Sequence, residues 1–349
     1  MIKKLVIHLG DCKAGSTSIQ TILFRKAWTS QHHNVFYPKP FNHIRLAKSI
    51  STKSLLPFQA RIFNRINHAL SNSRAPIGIL SAENFEFVDP QMFSDAIDKY
   101  LPEFRDNIQL ITYVRPHAER LLASYSERVK KGTFTKSLED FHEFFENKKY
   151  LFYAPRIERW KDVFGDRYHV KPMKTSFLRE KDVVHDFFEF AFGDNDFQFT
   201  EPTRHNESVS LQDLALFQYF HKKIRAINNK KQLAPSYARL GSHLSMIMAE
   251  NPVSEPLKLQ LHKSLADKIL STYEHDAEQL DRLYFNDSAL QSSLQAAQEK
   301  AIDTPQSLAI EDHCAPQTIR MLDCWLELSY RMIKSNPKTF FKLSKKPGR

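Results

Sequence analysis

Hydrophobic positions fall into two periods along the chain. Three continuous apolar runs stand out: KLVIHLG, which ends at Gly10, IGILSAE at 77–83 and IQLITYV at 108–114. Such runs, rich in Ile, Leu and Val and without polar alternation, mark strands buried on both faces. A polar turn after Gly10 feeds SIQTILFRKAW, which has helical spacing, as do 44–70 and 90–101. Strands alternating with helices predict a parallel sheet with crossover helices. The expected fold is therefore α/β, in three layers, with a central parallel sheet flanked by helices. Ligands of such sheets bind outside the carboxyl ends of the strands, which directs attention to the residues after Gly10, Leu80 and Val114.

Beyond Pro116 the spacing is mostly helical, over 117–130, 136–148 and 153–163. A strand-like YHVKPM follows at 168–173, then a helix over 180–191. From 209 to about 285 the pattern predicts two long helices, connected by 230–256, where Pro235, Gly241, Pro252 and Pro256 cluster. A further helix is expected around 316–334, followed by a Lys-rich tail, KLSKKPGR, read as a solvated end.

With 349 residues, 42% of them hydrophobic, the chain can bury a large core. Eight glycines against 27 phenylalanines argue against a disordered or repetitive protein. No apolar run reaches the ~18 residues of a membrane helix, so no integral membrane segment is expected. The first residues are too short for a signal peptide, and the chain reads as cytoplasmic. Cys12, Cys314 and Cys324 have no metal-ligand spacing and are odd in number, so neither a zinc site nor a disulfide framework is expected. The net charge of +10 fits either an ordinary basic surface or attraction to a polyanion. A nucleic-acid partner is not expected, because the long helices carry mixed charge instead of basic residues interleaved with aromatics.

The densest chemistry lies at Gly10-Asp11-Cys12-Lys13-Ala14-Gly15-Ser16-Thr17-Ser18. A glycine-containing turn entering a helix N-terminus offers backbone N–H groups and the positive end of a helix dipole to a phosphate. Gly15, Ser16, Thr17 and Ser18 are candidate phosphate ligands; the competing reading is a helix that merely uses a serine as its cap. A nucleoside triphosphatase loop has lysine directly after its second glycine, where this chain has Ser16. Lys13 instead precedes Gly15 by two residues, and the third strand ends in Val-Arg without an acidic metal ligand. A phosphate ligand bound without metal fits better than Mg–triphosphate.

The segment Leu9–Gln20 resembles the phosphosulfate loop of the sulfotransferase superfamily, often written HIGxxKTGSTSxQ in bacterial members, with Ala14 in place of the usual threonine. Further features agree in order: Tyr37-Pro38 with His43 downstream, Leu80-Ser81-Ala82-Glu83, and Tyr113-Val114-Arg115-Pro116 before a helix carrying Ser124-Tyr125. Tyr153, Trp160, Phe164-Gly165 and Arg204-His205-Asn206-Glu207-Ser208 complete the likeness. It spans roughly 3–285 and is similar to the carbohydrate-type bacterial branch. It implies a P-loop-like fold with one domain over 1–290, made of an α/β core at 1–200 and a helical part at 205–290. A helical C-terminal extension occupies 291–349.

The resemblance implies an enzyme that uses 3'-phosphoadenosine 5'-phosphosulfate (PAPS) as sulfuryl donor, releases 3'-phosphoadenosine 5'-phosphate, and needs no metal. The implied acceptor is a glycan hydroxyl, with an acidic glycan suiting the positive charge. A small-molecule or lipid hydroxyl stands as the alternative acceptor, and a P-loop kinase as the more distant reading. Lys13 takes the role of stabilising the leaving phosphate, and Glu83 that of general base. Glu83 capping the segment Asn84–Val88 is the competing assignment, and His43 is a second candidate in the acceptor pocket. Arg115 is expected to bind the 3'-phosphate. Ser124 stands one residue later than the family's serine, about 100° around a helix, so its part depends on where that helix begins. Arg204 is expected to close over the nucleotide with Asn206 and Ser208, unless Asn206 caps the next helix.

Overall fold

The computed structural model describes residues 2–203, 209–227 and 234–343. Its elements run β1 (Lys4–Gly10), α1 (Ser16–Arg25), β2 (Trp28–Thr29), β3 (Val35–Phe36), α2 (Ile44–Ser51), α3 (Gln59–Ser71) and β4 (Ile77–Glu83). Then come α4 (Pro90–Tyr100), β5 (Ile108–Val114), α5 (His117–Lys130), α6 (Leu138–Asn147), α7 (Ala154–Phe164), β6 (Tyr168–Pro172), α8 (Val183–Phe192) and β7 (Gln198–Phe199). The remainder is helical: α9 (Leu211–Ile227), α10 (Ala234–Glu250), α11 (Lys263–Leu280), α12 (Ala289–Glu299), α13 (Pro316–Ser335) and α14 (Pro337–Leu343).

Two compact units result. The first comprises Met1–Arg120, Tyr150–His205 and Ser271–Gln295. Its sheet has the order β3-β4-β1-β5-β6, with every pairing parallel. Successive side chains point to opposite faces, and here both faces are covered. Val6, Ile79, Ile111 and Tyr113 meet α1 and α8 through Ile19, Ile22, Val184, Phe187 and Phe188. Leu5, Ile7, Leu80 and Leu110, of the opposite parity, are equally buried. Helices α4 and α7 meet each other where Phe93 and Trp160 lie 5.8 Å apart. The three-layer α/β expectation is met, with β1, β4 and β5 on the three apolar runs and β6 on the strand-like segment at 168–173.

β1 is the point where the strand order reverses: β4 lies on one side of it and β5 on the other. The register sets Gly10 beside Glu83 and His8 beside Ser81. The carboxyl ends of β1 and β4 therefore finish level, the position where open parallel sheets hold their ligands.

The second unit comprises Leu121–Lys149, Asn206–Leu270 and Ala296–Arg349 and is helical. Arg128 lies over the rings of Phe141, Phe144 and Phe145 at 5.1–5.6 Å. A smaller core joins Ile224, Leu240, Leu326 and Ile333. The expected connector 230–256 requires correction, because α10 occupies Ala234–Glu250. Pro235 stands in its first turn, where proline costs no hydrogen bond. Gly241 is no helix breaker here: a Cβ on it would collide with the Lys130 carbonyl oxygen, so glycine permits a close approach. Helix α12 carries no signal that distinguished it in the sequence. Among the described residues no helix is long and apolar enough to cross a membrane.

Candidate functional site

Helix α1 starts without a side-chain cap. Its N-cap is Gly15, in the left-handed conformation at φ 78°. That conformation suits glycine, and a Cβ there would also lie 2.7 Å from Val183 Cγ1. The reading of Ser16 as a mere cap is thereby removed. Ser16 is the first helical residue, and its Oγ is buried with no hydrogen-bond partner among the described residues. Thr17 is exposed and Ser18 half-buried on the same turn. Lys13 also has positive φ, 66°, an uncommon conformation for a side chain with a Cβ.

Arg115, directly after β5, reaches this loop: its Nη1 donates to the Lys13 carbonyl oxygen at 3.0 Å. Its Nε is buried without a hydrogen bond and stands 3.7 Å from Glu119 Oε2. The Tyr153 hydroxyl holds the Arg115 carbonyl at 3.0 Å. Lys13, Gly15, Ser16 and Arg115 are thus brought together. Glu83, half-exposed, ends β4 opposite Gly10, and its charge reaches the Cys12 thiol. Burial above all, with Glu86 and Glu83 adding to it, pushes that thiol far up, so Cys12 is no thiolate nucleophile.

His43 is placed differently from a base. It is buried, its Nδ1 accepts the Ser81 N–H at 3.1 Å, and its Nε2 donates to the Pro38 carbonyl at 3.1 Å. Both ring nitrogens serve the main chain, and burial lowers the pKa to about 4, against the pull of those backbone bonds. A histidine held this way orders the segment before α2 and has no lone pair left for an acceptor proton. Ser124 is buried within α5, in the part of that helix that belongs to the second unit. Arg204, with Asn206 and Ser208, lies outside the described residues.

Four charges beneath the loop escaped sequence reasoning. Asp11, 1% exposed, receives Arg120 Nη1 at 3.0 Å and Arg156 at 2.5 and 2.6 Å. Burial opposes ionisation of Asp11, but the two guanidinium groups outweigh it and hold its pKa below the usual carboxylate range. Arg120 also bonds Glu86, whose other oxygen accepts the Cys12 N–H at 3.2 Å. Both arginines lie over the Tyr153 ring, at 5.5 and 5.8 Å. Two positive and two negative charges cancel, so the network fixes the loop backbone from below without adding net charge. Asp276 continues the support: it accepts the N–H groups of Tyr153 and Ala154 at the start of α7 and faces His117 Nε2 at 3.0 Å. A second buried network joins His8, Ser81 and Gln20 through the Ser81 hydroxyl, at 2.9 and 3.1 Å.

No protein-family model matches the chain. No curated protein matches it either. Among solved structures the chain is similar to the crystal structure of a sulfotransferase from Alicyclobacillus acidocaldarius, at 14% identity and a TM-score of 0.45. The alignment covers 84% of this chain and 100% of that one.

Proposed function

We propose that the chain is a sulfotransferase that moves a sulfuryl group from PAPS to a hydroxyl of a carbohydrate acceptor. The observation that carries the reading is the uncapped start of α1, with Ser16 Oγ buried and unbonded, lying against a loop that Arg115 grips from the next strand end. These are features of an anion cradle: a helix N-terminus, serine hydroxyls, an ammonium and a guanidinium. The lysine placement disfavours a kinase, as does the strand end without a carboxylate.

The donor, when bound, supplies a sulfuryl group on an anhydride oxygen, which the acceptor hydroxyl displaces in line. The chain's residues then have three tasks. The α1 N-terminus with Ser16, Thr17 and Ser18 holds the 5'-phosphate end, and Lys13 neutralises charge gathering on the leaving oxygen. Arg115 keeps further N–H donors for the 3'-phosphate after its one bond to Lys13. Glu83 takes the acceptor proton, a task for which His43 has no nitrogen left.

The test is transfer of labelled sulfur from PAPS, in EDTA, to a panel of desulfated glycans and small alcohols. Label on a glycan is the expected result. Label only on small alcohols would move the acceptor class. Absence of label on every acceptor, together with Mg-dependent ATP turnover, would replace the reading by a kinase.

A further inference from the structure

Helix α13 turns two apolar faces outward from its axis, and only one is covered. Leu326, Tyr330 and Ile333 are buried, the first and last of them in the small core with Ile224 and Leu240. On another face Met321, Trp325, Leu328 and Met332 are 58%, 61%, 47% and 46% exposed. Their spacing of four, three and four residues confines them to about 60° of the helix surface. Scattered exposed apolar residues are ordinary, but a continuous row on one helix is not.

The charge around this row is one-sided. Between Arg320 and Lys338 four basic residues, Arg320, Arg331, Lys334 and Lys338, stand against two acidic ones. Both acids already face basic partners: Asp323 accepts from Lys223 at 3.1 Å and Tyr219 at 2.5 Å, and Glu327 accepts from Arg331 at 2.8 Å. Phe340 of α14 packs against the same small core, so exposed Lys338 is tethered just beyond α13.

We infer that α13 and the start of α14, with exposed Lys338, form an attachment site for an anionic lipid surface. Trp325, Leu328 and the two methionines would enter the headgroup boundary, and the lysines and arginines would meet lipid phosphates. A second copy of the chain suits the row less well. One line of four side chains falls short of the ~800 Å² per partner of a stable dimer, and the excess positive charge would repel its own copy. This inference stands apart from the proposed activity and is tested without it.

The full chain is sedimented with vesicles of phosphatidylcholine alone and of phosphatidylcholine mixed with phosphatidylglycerol, while tryptophan emission is recorded. Binding to the mixed vesicles only, reversed by salt and accompanied by a blue shift, is expected. Trp325→Phe should keep the sedimentation and lose the shift, since Trp28 and Trp160 lie elsewhere. Trp325→Ser with Leu328→Ser should weaken partitioning by about tenfold or more, and Lys334→Gln or Lys338→Gln by about fivefold each. These positions are exposed, so the fold should survive, and circular dichroism checks it. Equal sedimentation with or without vesicles, or indifference to the paired serine substitution, would overturn the inference. So would a concentration-dependent dimer, formed without lipid and abolished by the same paired substitution, which would assign the row to a second copy.

Discussion

Arg115 and Lys13 are joined by a single hydrogen bond of 3.0 Å, from a guanidinium after β5 to the carbonyl of a loop residue after β1. The bond makes one residue do two things, since Arg115 both shapes the loop and presents charge beside it. Arg115→Ala should therefore weaken binding of 3'-phosphoadenosine 5'-phosphate by about ten- to a hundredfold, the value of a charge-assisted phosphate contact. Arg115→Lys should restore part of the affinity through charge, but not the grip on Lys13. Calorimetry in EDTA measures both. Unchanged affinity in the alanine variant would mean that the phosphate is held elsewhere.

The buried quartet of Asp11, Arg120, Glu86 and Arg156 makes a different prediction. Arg120→Ala leaves Glu86 buried without its ion-pair partner and should cost about 3–5 kcal/mol of stability. Arg120→Met combined with Glu86→Gln removes both charges of one pair and should cost less than Arg120→Ala alone. Urea unfolding midpoints of the variants decide it. A double variant that loses as much as Arg120→Met and Glu86→Gln, each made alone, added together would mean that the pair is not coupled.

That quartet also shows where sequence reasoning stopped. The strands were legible because burial on both faces leaves unbroken apolar runs, and the loop was legible because its residues are contiguous. Arg120 and Arg156 meet Asp11 across 109 and 145 residues, and no local pattern carries that pairing. The pairing depends on β1 lying between β4 and β5, a fact of topology. His43 was a candidate for the opposite reason: its type suggested chemistry, while the backbone groups of Pro38 and Ser81 that occupy it leave no trace in the sequence. Gly241 misled in the same way, since a glycine used for close approach to Lys130 looks like a helix breaker until its neighbour is known.

Acid should destabilise the fold through His8 and His43. Burial lowers the pKa of each from the ordinary 6.5 to about 4, in His8 against the attraction of Asp11. Below about pH 6.5 the unfolded chain takes up protons that the folded one refuses, so stability is full above that point and falls as the pH drops toward 4. Between about pH 7 and about pH 5 the loss should approach ~2 kcal/mol for each imidazole. Urea midpoints across that range measure it. His43→Gln should lower stability at neutral pH yet flatten part of the dependence. A wild-type profile flat over the interval would contradict neutral burial of these rings.

Glu83 and His43 separate the proposed chemistry from its scaffold. Glu83 ends β4 beside Gly10 with its carboxylate near the loop, while His43 has both nitrogens committed to the main chain. Glu83→Gln keeps size and hydrogen bonding but removes proton acceptance. Turnover should fall by about 10²–10⁴, with the affinity for 3'-phosphoadenosine 5'-phosphate near wild type. The ascending limb of the wild-type pH–rate profile should disappear in this variant. His43→Asn should behave oppositely, losing stability but retaining turnover per folded molecule. If Glu83→Gln keeps most of its activity, the carboxylate is a structural group of the segment Asn84–Val88. If His43→Asn then abolishes turnover in a protein that remains folded, the base is the imidazole. The hydrogen bonds to Pro38 and Ser81 would in that case have to open during catalysis. The two single variants, assayed side by side for turnover, nucleotide affinity and unfolding midpoint, therefore distinguish the carboxylate mechanism from each of its rivals.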